Sequence, residues 1–142
     1  MANRQLQLGL EHGPINKGVV TMKIQASAED YLEAIFVLSK QIGKVRSIDL
    51  AKHMGFAKPT ISIAVKQFRD NGYITIDDER NIHLTEKGAE IAHGIHERHT
   101  VLAKVLVAIG VSEETAMADA CKIEHSISAE TFECVKKFYD RL

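Results

Sequence analysis

The sequence predicts a mainly α-helical chain in two lobes, interrupted by a single β-hairpin. Two observations carry that reading. Apolar residues recur at helical spacing in segment after segment, and most segments have a Ser or Thr before them and a Gly after them. One stretch breaks the rhythm: Tyr73-Ile74-Thr75-Ile76 alternates, Asp77 to Asn81 is rich in turn formers, and Ile82-His83-Leu84 returns.

Composition sets the bounds. The chain has 142 residues, 45% hydrophobic and 26% charged, within the range of an ordinary globular protein of one domain or two small lobes. No apolar run reaches the length of a membrane span, and the first residues lack the continuous apolar core of a signal peptide. The expected compartment is the cytoplasm, without a membrane partner. Two cysteines, Cys121 and Cys134, are too few for a disulfide framework. Cys134 is expected to pack inside its helix, and Cys121 is free to bind a metal. The net charge of −1 gives no bulk attraction to nucleic acid, but the distribution is uneven. From Lys40 to Asp70 seven Lys and Arg stand against two acids, whereas from Ser112 to Glu133 six acids stand against Lys122. One part is suited to an anion and the other to a cation.

Residues 1–23 hold Gly9, Gly13, Pro14 and Gly18 without periodicity, and are expected to form a poorly ordered extension, with Met22 a second candidate start. Ser27 is placed to cap a helix to about Gln41, with Tyr31, Leu32, Ile35, Phe36 and Leu38 on its apolar side. Asp30 and Glu33 share a face in its first turns, where the helix dipole alone would favour acids. Ser47 is placed to cap a short helix to Met54. Gly55 breaks it, and Pro59 stands at the start of a helix that ends before Gly72. In that helix Ile61, Ala64, Val65 and Phe68 form the buried stripe. Thr60, Ser62, Ile63, Lys66, Gln67 and Arg69 fall on or near the exposed side.

A short helix, a turn of a few residues and a second helix have helix-turn-helix spacing, and the hairpin that follows supplies a wing. DNA binding is the leading reading. The second helix would present Lys58, Pro59, Thr60, Ser62, Ile63 and Lys66, hydroxyls towards base edges and cations towards phosphates. Arg46, Ser47 and the hairpin's Arg80 would flank it.

Thr85 is placed to cap the longest helix, Glu86 to about Ile109. His93, His96 and His99 recur along it, and His99 lies nearest its apolar half. Ser112 caps the next helix, which ends in Cys121-Lys122-Ile123-Glu124-His125. A thiol, a carboxylate and an imidazole at i, i+3 and i+4 share one helical face and suit a divalent first-row metal. After Ser126-Ile127-Ser128 a last helix carries Phe132, Val135, Phe138 and Tyr139 on one side. So small a lobe does not need that much apolar surface for itself, so a homodimer is expected.

These residues resemble the metal-dependent repressors typified by the diphtheria toxin repressor and the manganese transport regulator. The match runs through Asp30-Tyr31-Leu32-Glu33, Lys58-Pro59-Thr60-Ile61-Ser62, Leu84-Thr85-Glu86-Lys87-Gly88, Glu97-Arg98-His99 and Cys121-Lys122-Ile123-Glu124-His125. The resemblance implies a winged-helix DNA-binding domain over 24–86 and a helical metal-binding and dimerisation domain over 87–142. It implies the short form, without the SH3-like domain of longer relatives. The implied ligands are Asp30, Glu33, His99, Cys121, Glu124 and His125, with metal bound where the lobes meet. The implied activity is that of a homodimeric repressor of metal-uptake genes acting on double-stranded, palindromic operator DNA.

The chain mixes two patterns, since the iron-type relatives pair Cys at position 121 with Met at 30, and the manganese-type pair Glu with Asp. A thiolate favours softer metals than a carboxylate does. Fe(II) is therefore placed ahead of Mn(II), with Zn(II), Co(II) or Ni(II) able to bind in vitro. Where the iron-type recognition helix has Gln, this chain has Ile63, so its operator need not be theirs. The competing readings are a winged-helix regulator governed by a small molecule or thiol oxidation, an enzyme, and a protein-interaction module. No phosphate loop, nucleophile elbow or HExxH motif supports an enzyme.

Overall fold

The computed structural model describes residues 28–142. The N-terminal extension and the cap at Ser27 lie outside the described residues. Helices α1 (Ala28–Ile42), α2 (Ser47–Met54) and α3 (Lys58–Asp70) precede strands β1 (Ile74–Ile76) and β2 (Ile82–Leu84). Helices α4 (Glu86–Ala108), α5 (Glu113–Ile123) and α6 (Ala129–Asp140) follow. The chain divides into two compact units, with the boundary between His93 and Gly94 inside α4. Among the described residues no helix is long and apolar enough to cross a membrane.

The first unit is built around aromatic and branched side chains. Tyr31, Leu32 and Ile35 from α1, Leu50 from α2, and Ile61, Ala64 and Phe68 from α3 are almost fully buried, as are Tyr73, Ile74 and Ile82 of the hairpin region. The Tyr31 ring lies 5.7 Å from Phe68 and 6.0 Å from Phe56, and Phe68 meets Tyr73 edge-on at 6.3 Å. These are favourable aromatic separations. They pull the α2–α3 turn and the start of the hairpin onto α1.

Local sequence explains how the elements end. Gly55 takes a left-handed φ of 72° and donates its N–H to the Ala51 carbonyl, which closes α2 and turns the chain into α3. Ser47 is the first helical residue of α2 and not its cap. Arg46 holds the cap position, and its N–H donates to the Asp49 carboxylate at 2.9 Å. Gln67 also departs from expectation. It is buried on the Ala64–Phe68 side of α3 and not on the outer face.

The hairpin is antiparallel, with Ile74 opposite Leu84, Thr75 opposite His83 and Ile76 opposite Ile82. Val45 adds a bridge, since its carbonyl accepts from the Ile82 N–H at 2.7 Å. Asp77 organises the turn, accepting from the N–H groups of Glu79 and Asn81 at 2.9 and 2.8 Å and lying 2.9 Å from His83 Nε2. Those bonds, chiefly the one to His83, hold its carboxyl down at about 2. Thr85 caps α4 by accepting from the Gly88 N–H at 3.2 Å, and its hydroxyl donates to the Gly72 carbonyl at 2.7 Å. At Gly88 a Cβ would overlap the Tyr73 carbonyl oxygen, so only glycine allows this approach of α4 to the hairpin.

The second unit holds the rest of α4, with α5 and α6. Ser112 and Ser128 cap α5 and α6 by accepting from the Thr115 and Thr131 N–H groups. Its apolar core is small: Leu102, Ala103 and Ala120, with Ile123, Ile127 and Val135 packed against them. Ile109, Met117, Phe138 and Leu142 are each more than half exposed in the single chain. Cys134, expected to pack inside, is exposed as well.

Candidate metal centre

Helix α4 brings His99 to the end of α5, and the cluster forms around one carboxylate. Glu124 follows α5 directly and keeps helical backbone angles, φ −56° and ψ −28°. The i, i+3 spacing from Cys121 therefore survives beyond the last helical residue. Glu124 is fully buried. Its Oε2 lies 2.9 Å from His99 Nδ1, and His125 Nε2 lies 3.3 Å from Oε1. Cys121 Sγ stands 3.6 Å from the same His99 nitrogen.

A buried carboxylate needs compensation, and here the compensation is incomplete. Among the described residues Glu124 Oε1 has no hydrogen-bond partner, because His125 is near it without bonding geometry. His99 is held charged. The Cys121 sulfur first and the Glu124 carboxylate second raise its pKa to about 10, against the opposing effect of burial. Donor atoms of His99, Cys121 and Glu124 all lie within 4.8 Å of one another. Sulfur, imidazole nitrogen and carboxylate oxygen on such a small patch, with one orphaned oxygen, fit a divalent transition metal.

The other expected ligands, Asp30 and Glu33, stand one turn apart on α1, both partly buried. Of the expected DNA contacts, Lys58, Pro59, Ser62, Ile63 and Lys66 are exposed on α3, and Thr60 and Ser47 are partly buried. Ile63 is 57% exposed, an apolar side chain on an otherwise polar face. Arg80 sits exposed in the hairpin turn with a left-handed φ of 66°. The Arg46 guanidinium is engaged within the protein, where Nη2 donates to the Glu79 carbonyl at 2.7 Å and braces the hairpin turn.

Sequence reasoning missed Arg98. Its Nη1 donates to the carbonyls of Glu124 and Ile127 at 3.3 and 3.2 Å, and its guanidinium lies 5.3 Å over the Phe132 ring. Adjacency to His99 was the only hint in the sequence, since the partners stand 26 and 29 positions away.

Comparison with known proteins bears on both parts of the chain. Residues 23–82 match the family described as "Iron dependent repressor, N-terminal DNA binding domain", and residues 85–142 match "Iron dependent repressor, metal binding and dimerisation domain". The chain is 34% identical over 110 residues to the transcriptional regulator MntR of Escherichia coli O6:H1, covering 78% of this chain and 71% of that one. It is 34% identical over 117 residues to an uncharacterised HTH-type transcriptional regulator of Methanocaldococcus jannaschii, covering 81% and 94%. These relatives are named as transcriptional regulators and not as enzymes. Among solved structures, the fold matches the metal-dependent transcriptional regulator MtsR with a TM-score of 0.75 at 23% identity, over 80% of this chain and 54% of that one. It matches a manganese-dependent transcriptional repressor in complex with manganese with a TM-score of 0.72 at 24% identity, over 80% and 52%. The chain thus spans about half the length of these solved structures. The two matched domains together are those of a metal-dependent transcriptional repressor, and the chain belongs to the iron-dependent repressor family.

Proposed function

We propose that a divalent metal, Fe(II) ahead of Mn(II), binds Asp30, Glu33, His99, Cys121, Glu124 and His125 and switches a homodimer of this chain into its DNA-competent state. The single observation that best supports this reading is Glu124, a fully buried carboxylate set beside two imidazoles and a thiol with one oxygen left unbonded. When bound, the metal supplies the positive charge that this acid set lacks. Asp30 and Glu33 belong to the DNA-binding domain, taken as 24–86. The remaining ligands belong to the metal-binding and dimerisation domain, taken as 87–142. A ligand set drawn from both couples metal occupancy to the spacing of two recognition helices in a dimer. Adjacent major grooves on one face of DNA lie ~34 Å apart, so only some spacings bind. The metal then acts as a ligand with different affinity for two states, and operator DNA should tighten metal binding in return.

In this reading Ser62, Ile63 and Thr60 face base edges, and the apolar Ile63 suits a thymine methyl group. Lys58 and Lys66 meet phosphates, flanked by Pro59, Ser47 and Arg80, while Arg46 braces the wing. The target is a palindromic operator of metal-uptake genes, and the compartment is the cytoplasm. The mixed ligand set supports the metal ranking, because a thiolate at Cys121 draws it from Mn(II) towards Fe(II).

The test is fluorescence anisotropy on DNA from upstream of the chain's own gene, with anaerobic Fe(II) or Mn(II) and then a chelator. The expected result is binding that appears with metal and disappears with the chelator. Equal binding with and without metal would remove metal control from this reading.

A further inference from the structure

The cluster is held by both ends of Glu124, and only one end consists of expected ligands. The carboxylate meets His99, while the carbonyl of the same residue accepts from Arg98, the neighbour of His99 on α4. The same Arg98 Nη1 also takes the Ile127 carbonyl at 3.2 Å. Its guanidinium covers the ring of Phe132, which lies in the first turns of α6. One side chain therefore spans the break Ser126-Ile127-Ser128, tying the end of α5 to the start of α6. The bonded carbonyls flank His125, so the backbone that aims both Glu124 and His125 is fixed from α4.

We infer that Arg98 is a positioning residue for the metal centre, pre-ordering the Glu124–Ile127 turn so that Glu124 and His125 are aimed before metal arrives. Arginine suits the task better than lysine. One nitrogen, Nη1, donates to both carbonyls while the planar guanidinium lies over a ring, whereas an ammonium is a compact, more strongly hydrated point charge with no plane to stack. Arg98 is always protonated and cannot ligate a metal, so it acts through geometry alone. Partners that orient metal ligands from behind typically change affinity by ~10–100-fold when removed. The inference rests on the proposed metal site.

The experiment is Co(II) titration of the full chain, followed by the thiolate-to-cobalt absorption band, for the wild type, Arg98→Lys, Arg98→Met and Cys121→Ser. It is run at a temperature where circular dichroism shows each variant folded. The expected result is that both Arg98 variants bind Co(II) about 10–100-fold more weakly while reaching the wild-type band at saturation, because every ligand remains. Hydrogen exchange of the metal-free proteins should rise in both variants at residues 124–128. If Arg98→Met does not fold, Arg98→Lys, which keeps the charge and the aliphatic stem, decides the matter. Wild-type affinity in a folded Arg98→Lys would overturn the inference, because the planar guanidinium would then not be needed. So would weaker binding with unchanged exchange in the turn. A wild-type chain that shows no Cys121-dependent band would instead remove the proposed metal site, an outcome separate from any behaviour of Arg98.

Discussion

The two units of this chain are stabilised in different ways. The first closes a core of large side chains, with Tyr31, Phe68 and Tyr73 almost fully buried amid Leu and Ile from five elements. The second buries only Ile95, Leu102, Ala103, Ala116, Ala120 and Phe132 among its described apolar residues, and places a fully buried Glu124 beside His99. It leaves Ile109, Met117, Phe138 and Leu142 exposed in the single chain. Apolar burial is non-directional and needs no ligand. A buried carboxylate with an orphaned oxygen depends on what is bound to it. The first unit is built to be a rigid reader, and the second to respond to metal and to a second copy of the chain.

Substitutions can break or sharpen that contrast. The largest effect is expected in the aromatic core, where Phe68→Ala should cost about 3–5 kcal/mol, as for other buried Phe truncations. Urea denaturation followed by circular dichroism measures this, and the loss should be the same with and without metal. A loss that metal largely restores would contradict the division of roles.

The second effect tests the responsive unit. Cys121→Glu replaces a soft ligand with a hard one and should move relative affinity from Fe(II) towards Mn(II) by about tenfold, roughly 1.4 kcal/mol. Anaerobic competition titrations give that ratio, and an unchanged ranking would show that Cys121 is not a ligand.

A smaller effect is expected at Tyr31. Its buried hydroxyl has no hydrogen-bond partner among the described residues, and burial pushes its pKa up to about 12. Tyr31→Phe removes an unsatisfied polar atom and should stabilise the first unit by about 1 kcal/mol or less. A clear loss of thermal stability would reveal a hidden partner.

The smallest and most local effect concerns the wing. Asp77 has its carboxyl held at about 2, below the ordinary aspartate value of 3.8, so the order it contributes is fully present above that higher value. That order should persist at pH 4 and fade as the pH falls through about 2. The amide resonances of Glu79 and Asn81 report it. Their collapse at pH 5 would mean that Asp77 does not organise the turn.

Much of the fold was legible because short-range chemistry dictates it. Gly55, Pro59, Thr85, Ser112 and Ser128 mark helix ends through backbone and capping preferences that act within a few residues. The alternation across Tyr73–Leu84 marked the wing for the same reason. Part of the cluster was legible too, because i, i+3 spacing puts Cys121 and Glu124 on one helical face whatever surrounds them. What escaped depended on distant neighbours. Gln67 borders the buried stripe of α3, and helical periodicity alone does not say on which side of the border it falls. Cys134 was assigned by residue type to a core too small to include it. The bracing of the wing by Arg46 was not legible, because its hydrogen bond goes to a carbonyl 33 residues on. Arg98 was hidden in the same way.

Metal binding at Glu124 with Cys121 as a ligand can be read at the metal itself. X-ray absorption at the iron edge of the anaerobic Fe(II)-loaded chain tests it most directly, beside the same measurement on Cys121→Ser. The wild type should show one sulfur neighbour among nitrogen and oxygen neighbours, and the variant should lose it. A shell of nitrogen and oxygen alone, identical in both proteins, would contradict it.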